Sequence, residues 1–195
     1  MIATALFAAF VARLVVGDWQ ITDAIVPVAM IAAFPFFEWV IHRCIRHWRP
    51  RRIGGLKADP LVVRKHRVHH VDPRYRPLIF IPWQSLLWLP PLAIAIAWLV
   101  FPRLGMGLTF VAFLTVLGLG YEWTHYLIHS DYKPKTRVYR AVLRHHRLHH
   151  FKNEHYWFTV TSWGTADRVL RTSADPATVA TLPTAKNLHA NRLAA

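Results

Sequence analysis

The sequence predicts an all-α integral membrane protein, a helical bundle of about four spans, and three observations carry that prediction. The chain of 195 residues is 54% hydrophobic with only 17% charged residues, and its mean hydropathy is +0.22. That is too apolar for an ordinary soluble domain. The apolar residues are gathered into four long stretches. The basic residues, which give a formal net charge of +14, are gathered into two segments that follow the second and the fourth stretch.

The stretches run over roughly Ile2 to Val16, Ile21 to Ile41, Leu78 to Phe101 and Leu104 to Ile128. The last three are long enough to cross a hydrocarbon core of about 30 Å as helices. The first is short, and either spans in a thin or tilted geometry or lies partly in the interface. Pro27, Pro35, Pro90 and Pro91 fall inside these stretches. In a bilayer, neighbouring helices and local adjustments satisfy the freed backbone groups, so kinks and not breaks are expected. The turns Gly17-Asp18-Trp19-Gln20 and Phe101-Pro102-Arg103-Leu104-Gly105 are short enough to make two helical hairpins. The chain starts Met1-Ile2-Ala3 without a basic n-region and carries Arg13 within its first stretch, so a cleaved signal peptide is not expected.

Eleven Lys and Arg residues crowd the segment from His42 to Ile81, eleven more follow the last stretch, and only Arg13 and Arg103 lie elsewhere. An excess of positive charge beside span ends places both segments on the cytoplasmic side. Topology and attraction to anionic lipid heads account for the charge, so no nucleic-acid partner is needed. Residues 1–172 read as one membrane domain. From Ser173 the chain turns to Ala, Thr, Pro and Asp without periodicity, so residues 173–195 read as a weakly ordered tail with His189 on its surface. The single cysteine, Cys44, excludes an internal disulfide and any Cys-built zinc or iron–sulfur site. It is expected to be a small buried thiol beside a helix end.

Of the 13 histidines, all but His189 lie just after the second stretch, at the end of the fourth, or in the two basic segments. His66, His69 and His70 share the spacing His-x-x-His-His with His146, His149 and His150. On a helix that spacing puts three imidazoles on one face, where they can converge on a metal. His125 and His129 add an i, i+4 pair that continues the last span, the device by which two histidines of one helix turn grip a metal. His42 and His47 are five apart, a less natural helical pair, so one of them is expected beyond a helix end and serving a different metal from its neighbour. Neutral imidazoles are common ligands of iron, zinc and copper, and ten of them suit two metals of five or so ligands each. His145 and His155 lie beside the last cluster without fitting its pattern, as extra ligands, supporting groups or polar neighbours.

These clusters resemble the histidine boxes of the fatty acid hydroxylase and sterol desaturase superfamily of membrane di-metal enzymes. Glu38-Trp39-Val40-Ile41-His42-Arg43 with His47 is similar to the first box of the fatty acid 2-hydroxylase branch, and His66-Arg67-Val68-His69-His70 to the second. Thr124-His125-Tyr126-Leu127-Ile128-His129 is similar to the third, and His145-His146-Arg147-Leu148-His149-His150-Phe151 to the fourth. The resemblance covers roughly Glu38 to Thr172. It implies a small helical bundle with a cytosolic His-rich helical cap holding two metals, O2 as oxidant and an external electron donor; the metals are expected to be iron, which zinc can replace in purified protein because imidazole sites accept both. The ligands it implies are His42, His47, His66, His69, His70, His125, His129, His146, His149 and His150. The chain departs from the pattern at Thr159, where glycine is expected, which bears on the shape of the substrate channel. It also carries no appended haem-binding domain, so electrons are expected from another protein.

The activity implied is hydroxylation of a C–H bond in a fatty acyl lipid. No Gly-rich dinucleotide fingerprint follows a strand, so a ferredoxin or b-type cytochrome is the expected donor, steered by the basic face. Trp83, Trp88, Trp98, Phe110 and Phe113 could hold an acyl or isoprenoid chain, or simply face lipid. Glu122 and Asp167 are candidates for orienting imidazole N–H groups, and Glu122 alternatively pairs with an arginine. Within the enzyme reading, a carotenoid hydroxylase or a sterol desaturase or oxidase is the alternative. A metal transporter would place its ligands near the bilayer midplane, where these spans are apolar, and a nonenzymatic lipid-binding protein would need no repeated boxes. A hydrolase would need a carboxylate base, with Glu154 the nearest.

Overall fold

The computed structural model describes residues 2–182, so His189 and the remainder of the expected tail lie outside the described residues. Two compact units divide the chain, the first comprising Met1–Phe34 and Ile81–Trp123, the second Pro35–Phe80 and Thr124–Ala195.

The first unit is built from apolar helices. Helix α1 covers Ile2–Val16, and a 3-10 turn at Ile21–Ala24 leads into α2, Ile25–Val40. Pro35 lies inside α2 without ending it. The third apolar stretch is not one helix. Its start belongs to a short helix, α4 (Arg76–Ile79), and is followed by a break, a 3-10 turn at Ser85–Leu87 and then α5, Leu89–Val100. Pro82 falls in the break. Pro90 and Pro91 fall in the first turn of α5, where a missing N–H is no loss because those donors have no intrahelical partner. These prolines start a helix instead of kinking one. Helix α6, Leu104–His129, is continuous. Two helices, Ile21–Arg46 and Leu104–His129, are therefore long and apolar enough to cross a membrane, each of 26 residues, whereas Ile2–Val16 and Ser85–Val100 are shorter. Only 11% of the most apolar window of either long helix is buried. A core helix of a soluble protein would be covered.

One buried ion-pair network ties this unit together. Arg13, 2% exposed, reaches from α1 to Asp23 at 2.7 Å and to Thr109 of α6 at 2.9 Å, and its guanidinium lies 3.6 Å over the Trp19 ring. Arg103 bonds both Asp18 and Asp23. The charge that interrupts the first apolar stretch is thus satisfied within the unit, as a buried charge must be.

In the second unit α2 changes character. Residues Ile41–Arg46 form a π-helical turn, closed by the His47 N–H on the His42 carbonyl at 3.1 Å. His42 and Arg46 are buried while residues 43–45 face outward, which leaves Cys44 exposed and not buried as expected. A β-hairpin follows, against the all-α expectation: β1 (Arg51–Ile53) pairs antiparallel with β2 (Leu56–Ala58), Ile53 opposite Leu56. Gly54 and Gly55 make its two-residue turn at φ 57° and 84°, a left-handed pair that glycine takes without steric cost. Helices α3 (Leu61–Val71), α7 (Arg137–Phe151) and α8 (Thr165–Val169) complete the unit with the end of α6. Its buried apolar residues include Val63, Ile79, Ile128, Val142, Trp157 and Phe158.

Candidate metal centre

Four helical segments of the second unit bring histidines together. They fall into two pentads, His42, His47, His66, His70 and His149 in one and His69, His125, His129, His146 and His150 in the other. Within each pentad, one ring nitrogen from every residue lies within 4.8 Å of the rest. All ten expected ligands are in these groups, but the partition differs from the expected one in two respects.

Each His-x-x-His-His turn is split. On α3, His66 and His70 enter the first pentad while His69 enters the second; on α7, His146 and His150 enter the second while His149 enters the first. Residues i and i+4 stay in one row and i+3 leans towards the neighbouring row, so one turn serves both sites and binds them together. His70 stacks on His150 at 4.2 Å between ring centroids where the pentads adjoin. The second difference is that His42 and His47 fall in one pentad, where they were expected to serve different metals. The π turn widens the helical repeat from four residues to five, so two histidines five apart return to the same face.

Backbone carbonyls hold the outer nitrogens of three of the ten imidazoles. His42 Nδ1 donates to Phe158 O, His149 Nδ1 to Tyr156 O at 2.7 Å, and His125 Nδ1 to Ile79 O at 2.7 Å. Each bond fixes the Nδ1–H tautomer and turns the Nε2 lone pair inward. In the first pentad, the Nε2 atoms then crowd one another, with His66 Nε2 at 3.0 Å from His42, 3.1 Å from His47 and 3.2 Å from His70. His47 Nε2 is also 3.1 Å from that of His149. A neutral ring nitrogen either donates or accepts, never both. His66 Nε2 can therefore form hydrogen bonds with only some of its three neighbours, and a cation at their centre satisfies all five. In the second pentad the Nε2 atoms of His69 and His129 are buried with no hydrogen-bond partner. Burial chiefly, and neighbouring imidazoles after it, push His66, His70, His146 and His150 well below the usual imidazole range. Burial likewise takes His149 down to about 4. Neutral, inward-facing imidazoles are what a borderline divalent metal binds, so the residues fit the metals the sequence implied.

Around the pentads stands a supporting layer. His145 belongs to neither group; its Nε2 donates to Asp167 Oδ2 at 2.9 Å. Asp167 also accepts the N–H groups of Phe158 and Thr159 and the hydroxyls of Thr159 and Thr172, at 2.6–2.9 Å. Burial alone would raise this carboxyl, but the bonds from His145 and Thr159 outweigh it and hold it at about 2. Thr159, where glycine was expected, is fully buried and adds a hydroxyl to this clamp. Gly164, at φ +85°, is needed beside it, because a Cβ there would come within 2.5 Å of the His145 ring. Glu38 accepts the N–H and the hydroxyl of Thr161, tying α2 to the segment that carries the carbonyls of Tyr156 and Phe158. Glu122 accepts the Ile81 N–H at 3.1 Å, and His155 is exposed and in neither pentad. Sequence reasoning could not find the carbonyls of Ile79, Tyr156 and Phe158, since every residue carries one; only their positions distinguish them.

Residues 27–172 match the fatty acid hydroxylase family. The chain is similar to the dihydroceramide fatty acyl 2-hydroxylase of Arabidopsis thaliana, with 28% identity over 163 residues, 78% of this chain. It spans 64% of that relative's length. Its fold is similar to that of full-length Scs7p in a structure where only the hydroxylase domain is visible, with a TM-score of 0.70 over 93% of this chain and 65% of that one. At 19% identity, that likeness speaks to fold alone.

Proposed function

Because the chain belongs to the fatty acid hydroxylase family, we propose that it is a membrane enzyme that hydroxylates a C–H bond of a fatty acyl lipid with O2. Its two pentads would each hold one iron ion, with His42, His47, His66, His70 and His149 around one and His69, His125, His129, His146 and His150 around the other. The observation that carries this reading is the sorting of ten buried or half-buried histidines into two complete, adjoining groups. When bound, iron supplies the reduction of O2 that hydroxylation requires, one oxygen atom entering the C–H bond and the other leaving as water.

The protein's part is positional and electrostatic. The carbonyls of Phe158, Tyr156 and Ile79 hold three imidazoles in one tautomer, and burial keeps the imidazoles of α3 and α7 unprotonated near neutral pH. The Asp167 clamp holds the peptide of Phe158, and through it the ring of His42. The two long apolar helices would cross the bilayer, and His42 near the end of one and His125 and His129 at the end of the other would put the site at a membrane boundary. The positive charge of the flanking segments supports a cytoplasmic location for it. Electrons would come from an external one-electron donor.

The test is lipid oxidation in ¹⁸O2. Purified protein in detergent, with a reductant and long-chain ceramides or fatty acids, is expected to give a product two mass units heavier than in ¹⁶O2. Label entering from H2¹⁸O instead would assign the chain to metal-dependent hydrolysis.

A further inference from the structure

On the second unit, α7 and α8 border a cleft of about 460 Å³ that the hydroxylation reading leaves unused. Arg137, Arg140 and Arg144 of α7 and Arg168 of α8 line it with Trp157 and Trp163, and no Asp or Glu does. The three arginines of α7 lie at i, i+3 and i+7, on one helix face. All four are exposed, and among the described residues none is paired with a carboxylate. Charge that served topology alone would have no reason to ring a concavity.

The floor of the cleft leads to the first pentad. Trp157 is 2% exposed and adopts φ +57°, a conformation that a bulky residue keeps only where its surroundings hold it. What holds it is visible on either side. The preceding carbonyl, of Tyr156, takes the His149 N–H, and the following residue, Phe158, takes that of His42. His145, also at the floor, reaches the same segment through Asp167, which accepts the Phe158 N–H at 2.8 Å. The cleft thus lies one residue from two ligand-bearing peptides of one pentad.

We infer that this arginine cleft is the docking site of an acidic one-electron donor protein, which delivers its electrons towards the first pentad past Trp157. The inference rests on the hydroxylation reading above. Each turnover takes R–H + O2 + 2 e⁻ + 2 H⁺ to R–OH + H2O, so a one-electron carrier is oxidised and must dock twice, with the protons drawn from water. A lipid headgroup would use the arginines but not the link to His42 and His149. Exposed arginines facing an acidic partner give fast, salt-sensitive association.

The experiment measures the affinity of the metal-loaded protein in detergent for two immobilised probes, a plant-type [2Fe–2S] ferredoxin and a soluble b-type cytochrome, at low and high salt. The double variant R140E/R144E is expected to raise Kd at least tenfold for a donor that binds and to flatten its salt dependence. R49E/R52E, the same change of charge in the other basic segment, is expected to change Kd less than about threefold. Equal weakening by both double variants, or no binding of either probe to the unsubstituted protein, would overturn the inference. So would R140E/R144E that sheds co-purifying anionic phospholipid while keeping donor affinity, which would mark a headgroup site. Hydroxylation by the unsubstituted protein with dithionite separates the two readings: its absence sinks the function, while donor affinity still decides docking.

Discussion

The first unit buries Arg13 against Asp23, with Arg103 completing the network. The second buries imidazoles of one kind, with ring nitrogen facing ring nitrogen at 3.0–3.2 Å. Both place polar groups where water does not reach, yet the first set neutralises itself and the second cannot. An arginine and an aspartate are complementary in charge and in hydrogen bonding, whereas neutral imidazole nitrogens that converge on one point cannot all pair with one another, and a cation among them would engage every one. A self-satisfied polar cluster is a structural tie. A cluster that needs a cation to be satisfied is a site.

The contrast makes opposite demands of substitutions in the two places. His69→Ala and His149→Ala each remove one ligand from one pentad, and each is expected to lower bound metal and cut hydroxylation by more than about 100-fold, beyond the 10–100-fold typical of groups that only orient a ligand. Metal analysis beside product assay checks this. Arg13→Leu leaves Asp23 buried with one partner fewer. It is expected to lower the unfolding temperature in detergent by roughly 10 °C while leaving metal per folded chain unchanged. Metal loss in that variant would merge the two kinds of cluster.

Much of this was legible in the sequence, because the signals concerned were local. Spacing picked out the two His-x-x-His-His turns and the His125–His129 pair, all of which fall in the pentads, and α1, α2, α6 and α7 follow apolar runs or a capped amphipathic pattern, with Thr136 accepting the Tyr139 N–H at the start of α7. What escaped was set by backbone geometry. The π turn that unites His42 with His47 has no signature in Ile41–Arg46, and the split of each His-x-x-His-His turn depends on which neighbours face it. Two misses did have local signals. Gly54-Gly55 between short apolar and basic runs is a hairpin signal, and Pro82, Pro90 and Pro91 mark a helix start as well as they mark a kink. Arg13 within the first apolar stretch also calls for a partner, as an ionisable residue among apolar ones does, and Asp23 supplies it.

Asp167→Asn tests the layer between the two extremes, a carboxylate that satisfies its neighbours yet serves the site. The variant is expected to lose about 10-fold to 100-fold in metal affinity. With its carboxyl held at about 2, below the usual value near 4, Asp167 contributes stability that is complete above about pH 4 and is lost as pH falls towards 2, roughly 2 kcal/mol in all. Acid unfolding of the metal-free protein should show that loss in the parent and not in the variant. The depressed imidazoles of α3 and α7 act in the same direction at higher pH, since the unfolded chain takes up protons below about pH 6.5 and the folded one does not. The smallest effect belongs to His155→Ala: an exposed residue outside both pentads, it should change stability by less than about 0.5 kcal/mol and leave the metal content unchanged.

The central claim is that each of the two sites draws histidines from both halves of the sequence and not one site from each half. Metal counting by native mass spectrometry in the variants H42A/H149A and H69A/H146A tests it most directly. Each double variant draws both histidines from one pentad but from two different sequence clusters. If the pentads are the sites, each folded variant keeps close to one metal ion per chain where the parent holds two. If one site instead drew on the histidines of residues 42–70 and the other on those of residues 125–150, each variant would damage both sites together, and loss of both ions from both folded variants would contradict the account.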